Sequence, residues 1–188
     1  EIDAGYMDTV DAAQDLVEAG RRAGITLRFN AAVEQVRQRG GRITGLRLRT
    51  GEDLAAPVVV NAAGRWCKAL YRDAGLELPA PMTPVRIQVI HLDRGDSLSG
   101  HIPVTADMQS GIYFRTQNRG QQLLVGSVRE ADEREVVDDP DDFLRVADDA
   151  FRLEKLHLLQ HRLPGLALTA SIRDYCGLYT LNHADVHP

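Results

Sequence analysis

The segment at residues 57–66 constrains the fold of this chain more than any other. It begins with three valines at residues 58–60, which predict a strand buried on both faces, as in the parallel sheet of an α/β domain. Small residues at 61–64 follow and let the backbone approach a ligand or another backbone. A helical pattern resumes near Trp66. The segment predicts a strand, a tight turn and a helix, an order that binds anionic cofactors in α/β folds and also occurs as a purely structural element.

The residues before this segment predict a helix, a strand and a β-meander. Asp8 or Thr9 caps the expected helix, which ends at Gly24, and residues 25–29 have the apolar content of a strand. Alternating residues around 33–36 and 42–50 predict two strands joined by a hairpin turn at Gly40 and Gly41. A second turn at residues 50–53 leads the chain into the valine run.

This order, together with the near letter-for-letter match of residues 58–66 to "VVNAAG.W", resembles the FAD-dependent oxidoreductases of the D-amino-acid oxidase, glycine oxidase and sarcosine oxidase family. In that family the segment closes over the flavin dinucleotide after such a meander. The resemblance implies cofactor contacts at Asn61, Ala62, Ala63, Gly64 and Trp66. It also implies a backbone contact from Val33 to the adenine end of FAD, although Val33 is equally explained as an inward-facing strand residue.

The second half of the chain is rich in predicted strands and resembles the substrate domain of the same family. Residues 84–88 match its "P.R.Q" strand, residues 112–126 its central hairpin, and residues 176–188 the return to the FAD domain. A helix is expected from residue 140 onward, followed by a further helical turn ending at Pro164. The predicted fold is therefore mixed, α+β or α/β. Residues 1–78 form part of an FAD-binding Rossmann-like domain with a β-meander, residues 79–178 an antiparallel substrate domain with helices, and residues 179–188 the start of the return.

Three polar residues of the second half are candidates for facing the flavin: Tyr113, Arg115 and Tyr179. An amine-oxidising site needs a cation or hydroxyls to hold a substrate carboxylate, and an apolar wall to exclude water. Relatives with small amino-acid substrates often carry arginine where this chain has Tyr179. The resemblance therefore favours a bulkier or N-substituted substrate, or one held by Arg115 or Arg86. Each tyrosine is also compatible with a core or edge-strand role.

Composition excludes several other classes of function. The formal net charge is −5 with scattered basic residues, so no nucleic-acid footprint is expected. No apolar run approaches the roughly 18 residues of a membrane span. Cys67 and Cys176 are expected to be reduced thiols in a cytoplasmic protein. The histidine pairs at 157/161 and 183/187 fall short of the usual three or four metal ligands, and the acidic run at 132–142 predicts a solvated loop.

The chain contains no GxGxxG sequence for the cofactor pyrophosphate, so we expect a fragment with only part of an FAD site. FAD is expected in the full-length protein and weakly or not at all in this piece. The predicted function is oxidation of an amine or amino acid, the small-molecule partner, by hydride transfer to flavin. Two alternatives stay open: another flavoprotein class, such as a hydroxylase or reductase with the same meander, and a non-catalytic interaction module.

Overall fold

The computed structural model describes residues 5–78, 80–96, 98–168 and 172–182. The fold is mixed, with helices and two antiparallel sheets. The described residues fall into two compact units. The first comprises those up to Ala62 together with Ala69–Glu77, and the second comprises Ala63–Lys68 together with those from Leu78 onward. The predicted domain limits at residues 78 and 178 stay a prediction.

The first unit contains the predicted helix and meander. Helix α1 (Thr9–Arg22) begins after Asp8, whose Oδ1 accepts hydrogen bonds from the amides of Val10 at 2.8 Å and Asp11 at 3.2 Å. Strands β1 (Val33–Arg39), β2 (Arg42–Leu48) and β3 (Asp53–Ala55) pair antiparallel in chain order. Gly40 and Gly41 form the first turn with φ of 58° and 74°, a conformation that glycine adopts without steric cost. The predictions of helix and meander are confirmed.

Two predicted strands of the first unit do not form. Residues 25–29 and 58–60 have no hydrogen-bonded strand neighbour among the described residues. Most of their apolar side chains are exposed, with Phe29 at 68% and Val60 at 83%, while Val59 is half-buried. An apolar run favours burial but becomes a strand only beside a partner that takes its backbone hydrogen bonds. The prediction of a buried valine strand is therefore wrong for these residues.

The turn after the valines leads into a short helix, as predicted. Gly64–Trp66 form one 3₁₀ turn, which continues into helix α2 (Cys67–Asp73). Gly75, with φ of 64°, follows the helix end.

The second unit is a five-stranded antiparallel sheet with one helix on it. The strands are β4 (Met82–Asp93), β5 (Thr105–Asp107), β6 (Ile112–Gln117), β7 (Gln122–Ser127) and β8 (Ile172–Asn182), in the order β5-β6-β7-β4-β8. Helix α3 (Asp149–Arg162) covers one face of this sheet. The core between them contains Ile90, Leu92, Ile112, Phe114, Leu123 and Val125 from the strands, and Phe151, Leu156 and Leu159 from the helix.

Helix α3 begins later than the sequence predicts. Residues 140–148 are turns and irregular backbone, and the first helical residue is Asp149. The buried guanidinium of Arg86 explains the delay, because it donates hydrogen bonds to the carbonyls of Leu144 at 2.9 Å and Val146 at 2.6 Å. Carbonyls that accept hydrogen bonds from a side chain in this way are not oriented for the main-chain hydrogen bonds of a helix. The further helical turn expected before Pro164 is the end of α3 itself, which Leu163 caps.

Some predicted features fall partly or wholly outside the described residues. These are the return segment beyond Asn182, with His183 and His187, and residues 169–171 of the predicted substrate domain. In the described part of the chain, every helix is too short or too polar to cross a bilayer.

Candidate functional site

The face of the five-stranded sheet opposite α3 carries the three predicted substrate residues. Directly paired residues of antiparallel strands share a face, and alternate residues along each strand return to it. Tyr113 pairs with Gly126 and Arg115 with Leu124, while Tyr179 pairs with Val85. The residues that alternate with them, such as Ile112 and Phe114 on β6, point to the opposite face and belong to the core. This face, which we call the open face, also carries His91 and Tyr175.

A glycine on the neighbouring strand makes room for the Tyr113 ring. A Cβ added at Gly126 would lie 2.5 Å from ring atoms of Tyr113 and 2.6 Å from its hydroxyl oxygen. No real Cβ is found so close to another heavy atom, so only glycine lets the ring lie across β7 in this position. Gly126 thus permits this orientation of Tyr113.

Tyr113 and Tyr179 line one cavity of about 570 Å³ on the open face. The remaining lining residues are Ser127, Val128, Glu130, Glu133 and Thr180. The structure thus brings two of the three predicted substrate residues together, and Arg115 shares their face without lining this cavity. A cavity of this size is in the range of small-molecule sites.

Both phenols of the cavity are protonated at neutral pH. Burial, together with the nearby Tyr179 and Tyr175, raises the pKa of Tyr113 to about 12. Burial, Glu133 and Tyr175 raise the pKa of Tyr179 above its ordinary value. A protonated phenol donates and accepts hydrogen bonds and presents an apolar ring, but it is not a base. The tyrosines can therefore orient a substrate and exclude water without removing a proton.

His91 lies on the same face, and its ring centroid is 5.1 Å from that of Tyr175. The pKa of His91 is lowered, mainly by burial and to a smaller extent by the charge of Arg115. Its imidazole is therefore neutral at pH 7. The Nδ1 atom of this ring is hydrogen-bonded to the side-chain amide of Gln117.

Arg86 is not a substrate-binding cation, so the hypothesis that it replaces a lost substrate charge is wrong. It lies on the helix face and is 2% exposed. Its guanidinium bonds Glu135 at 2.6 Å and Asp148 at 3.2 Å, besides the two main-chain carbonyls that delay α3. Burial acts to lower the pKa of Arg86, but the hydrogen bonds to Asp148 and Glu135 outweigh it and raise the pKa. Among the two arginines considered, Arg115 alone is on the open face.

The predicted cofactor residues are divided between the two units. Val33 begins β1 opposite Leu48, and with Asn61 and Ala62 it belongs to the first unit. Asn61 lines a small cavity of about 130 Å³ beside Val59 and Tyr71.

Ala63, Gly64 and Trp66 belong to the second unit. The indole N–H of Trp66 donates to Asp141 at 3.1 Å, and the Arg65 guanidinium lies 4.1 Å from the Trp66 ring centroid. No described atom lies within 4 Å of a Cβ built on Gly64, whose φ is 52°. The turn is therefore open at its glycine, and a ligand can approach the backbone there. This opening fits the predicted approach of a dinucleotide, whereas the individual cofactor contacts stay predictions.

Sequence reasoning missed the acidic wall of the cavity. The acidic run was expected to be a solvated loop, yet Glu133 is half-buried in the cavity wall and Asp132 is bonded to the fully buried Lys155 at 2.7 Å. A buried lysine requires a nearby carboxylate, so an isolated lysine on the apolar face of a helix was the available signal.

His157 and His161 are neighbours on α3, with ring centroids 4.5 Å apart. The His161 Nδ1 lies 3.2 Å from the His157 carbonyl oxygen. In the described ranges, no three residues of metal-ligating type converge on one point.

The chain is similar to several known proteins. The sequence profile of a family described as FAD-dependent oxidoreductase matches residues 2–188. A D-amino acid dehydrogenase of Methylobacterium nodulans is 32% identical over 117 residues, which cover 62% of this chain and 27% of that protein. The mitochondrial dimethylglycine dehydrogenase of Homo sapiens is 26% identical over 137 residues, covering 71% of this chain and 15% of that protein. The chain thus spans about a quarter or less of these curated relatives.

Solved structures show the same fold. The iminodiacetate oxidase of Chelativorans sp. BNC1 superposes with a TM-score of 0.70 at 25% sequence identity. The match covers 92% of this chain and 43% of that one.

Proposed function

Because this chain belongs to the family of FAD-dependent oxidoreductases, whose profile matches residues 2–188, we propose that the protein oxidises the C–N bond of an amine or amino acid. The cavity on the open face carries the proposal, because two protonated tyrosines line it on the sheet that the family resemblance identifies with the substrate domain. The matched relatives include proteins named for oxidising D-amino acids, dimethylglycine and iminodiacetate.

The cofactor is FAD, and this chain contributes part of its site. The open turn at Gly64 fits a dinucleotide, and the residues that would hold it are Val33, Asn61, Ala62, Ala63, Gly64 and Trp66. When bound, FAD supplies the redox chemistry by accepting the hydride equivalent from the C–N carbon. Since the cofactor carries that chemistry, the polypeptide needs to provide orientation and electrostatics.

We assign Tyr113, Arg115 and Tyr179 to substrate orientation. The raised pKa values of both tyrosines keep their hydroxyls protonated, so each can donate a hydrogen bond at neutral pH. Arg115 supplies the cation on the same face, and a guanidinium can grip a carboxylate with two parallel bonds. The buried side of each ring excludes water from the reacting carbon.

A cytoplasmic location completes the proposal. Within the described residues, both cysteines are buried and form no disulfide, which supports a reducing compartment.

The test is anaerobic reduction of flavin in the full-length protein. Candidate D-amino acids and secondary amines are mixed with the FAD-loaded enzyme, and flavin absorbance is followed by stopped flow. We expect bleaching by at least one amine and release of the matching imine hydrolysis product. Reduction by a nicotinamide cofactor and by no amine would instead identify a hydroxylase or reductase. A protein that purifies without flavin and takes none up would support the interaction module.

A further inference from the structure

A chain of hydrogen-bonded side chains crosses the open face beside Arg115. Gln122 donates from its amide nitrogen to the Asp93 carboxylate at 3.3 Å, and Gln117 donates to the Gln122 amide oxygen, also at 3.3 Å. The same Gln117 nitrogen is hydrogen-bonded to Nδ1 of His91. These residues come from three neighbouring strands, because Gln117 pairs with Gln122 and Gln122 pairs with Asp93.

The carboxylate at one end of this chain fixes the direction of every hydrogen bond in it. A carboxylate only accepts, so the Gln122 amide turns its NH₂ group to Asp93 and its oxygen to Gln117. The NH₂ group of Gln117 must then point to that oxygen, and its second proton is donated to Nδ1 of His91. Nδ1 is therefore an acceptor, and the neutral imidazole carries its proton on Nε2.

The Nε2 atom of His91 is buried and has no hydrogen-bond partner among the described residues. The ring of Tyr175 lies beside the imidazole, but an aromatic ring is at most a weak acceptor. Native proteins nearly always supply an acceptor to a buried N–H, because leaving one unpaired is costly. Tyr175 and Arg115 are themselves partly exposed, so a ligand on this face reaches Nε2 by a shift of surface side chains.

The charge of Arg115 makes an anion the acceptor that fits best. Arg115 pairs with Leu124 and Leu124 pairs with His91, so the two residues flank one leucine on the open face. Two strand spacings, roughly 10 Å, separate their backbones, a span that both side chains and a carboxylate can bridge. The guanidinium also acts on the imidazole, since it contributes to the lowered pKa of His91. Its positive charge is present whichever of its five N–H donors are engaged within the protein.

We propose that His91 and Arg115 together bind the carboxylate of an amino-acid substrate, with His91 donating from Nε2. The positioning residues Asp93, Gln122 and Gln117 keep the proton on that nitrogen. This inference rests on the proposed oxidation of a C–N bond and adds residues to its substrate site. The other tautomer would turn a lone pair towards the carboxylate and repel it. A simple amine has no carboxylate and therefore gains nothing from His91.

The first test determines the tautomer of His91 in the FAD-loaded full-length protein. Nitrogen-15 NMR of the histidine-labelled protein distinguishes a protonated ring nitrogen from an unprotonated one, and His91→Asn identifies the signals. We expect a neutral ring protonated on Nε2. Asp93→Lys replaces an end that only accepts by one that only donates, so both amides should turn over and the proton should move to Nδ1. The matched control Asp96→Lys makes the same change of charge at an exposed position outside the chain and should leave the tautomer unchanged. A wild-type ring protonated on Nδ1, or an Asp93→Lys ring that stays protonated on Nε2, overturns the role of the chain.

The second test compares D-leucine with 3-methylbutylamine, the same molecule without its carboxylate. His91→Asn, whose amide extends only to the position of Nδ1, should lower kcat/KM for D-leucine by about tenfold or more, the usual worth of one charge-assisted hydrogen bond. It should leave kcat/KM for the amine unchanged. His91→Gln, whose amide reaches the position of Nε2, should restore part of the loss. The calorimetric Kd of propionate should change in the same order without any turnover, and melting temperatures show that both variants retain the fold.

The outcomes separate this site from the proposed reaction. Oxidation of D-leucine and of the amine with equal losses in His91→Asn, or with propionate binding that this variant leaves unchanged, overturns the carboxylate contact and leaves amine oxidation standing. Propionate binding that depends on His91, without oxidation of any amine or amino acid, supports the site and overturns the proposed reaction. Propionate binding that is absent or independent of His91, without turnover, overturns both.

Discussion

Replacing Arg86 by methionine should release the irregular segment at residues 135–148 and strongly destabilise the second unit. Arg86 is 2% exposed and makes hydrogen bonds to the carbonyls of Leu144 and Val146 and to two carboxylates. Methionine fills a similar volume, so the change removes the charge and its bonds with little change in packing. The expected effect is thus electrostatic.

The size of the stability loss depends on which hydrogen-bond partners of Arg86 can be rehydrated. The side chains of Glu135 and Asp148 are 54% and 48% exposed, so their carboxylates regain water when the guanidinium is lost. The carbonyls of Leu144 and Val146 lose charge-assisted bonds worth about 1.5–3 kcal/mol each. Two such bonds together amount to about 3–6 kcal/mol, and we expect a loss of unfolding free energy of that order.

Urea unfolding and hydrogen exchange of the full-length protein measure the effect. Amides of residues 135–148 should lose protection from exchange in Arg86→Met. They should lose less in Arg86→Lys, which keeps the positive charge but lacks the planar guanidinium with its several donors. The control is Arg134→Met, because the exposed ion pair of Arg134 should contribute no more than about 1 kcal/mol. An Arg86→Met protein with unchanged protection in this segment, and a stability loss no larger than that of the control, would refute the reasoning.

Three further predictions concern the cavity and the turn. Gly126→Ala should cost about 1–3 kcal/mol by forcing the Tyr113 ring aside, and should be nearly neutral in a Tyr113→Ala background; equal costs in both backgrounds, measured by urea unfolding, would contradict the contact. The pKa of Tyr113 is about 12 in the folded protein against an ordinary 10.0, so the folded state keeps the phenol proton to higher pH. The stability that this protonated phenol contributes is complete below pH 10 and is lost as the pH rises through about 12. Ultraviolet titration of the wild type against Tyr113→Phe should show this late phenolate, and a difference centred at the ordinary value would contradict it. Gly64→Ala and Gly75→Ala each introduce about 1 kcal/mol of backbone strain at a positive φ in open surroundings. Only Gly64→Ala should lower the FAD content of the full-length protein. Equal flavin occupancy in the two variants would remove the case for a cofactor approach at Gly64.

The elements that the sequence predicted well are those with local causes. The hairpin at Gly40 and Gly41 follows from two residues that accept positive φ, and the start of α1 follows from the Asp8 side chain. Such signals depend on neighbours a few positions away and are therefore visible in one sequence.

The elements that were predicted wrongly depend on distant partners. The apolar pattern of residues 58–60 indicates a preference for burial but does not identify a neighbouring strand, and the described residues provide none. The start of α3 depends on Arg86, a residue more than fifty positions earlier that captures carbonyls of the expected helix. Neither cause is present in the local sequence.

The candidate site shows the same division. Tyr113 and Tyr179 were candidates by resemblance, but their shared cavity results from the strand order β6-β7-β4-β8, which brings distant segments together. Glu133 was missed because a run of acidic residues usually indicates a solvated surface. Its position at the cavity depends on Lys155, whose burial is known only from the packing of α3.

The two buried cations of the second unit, Arg86 and Lys155, explain why this acidic run is not simply a solvated loop. A buried cation is stable only with a carboxylate beside it, and the acidic run supplies one for each, Glu135 for Arg86 and Asp132 for Lys155. The same segment carries Glu133 into the wall of the cavity. Charges on the helix side of the sheet therefore determine the position of a charge on its open face.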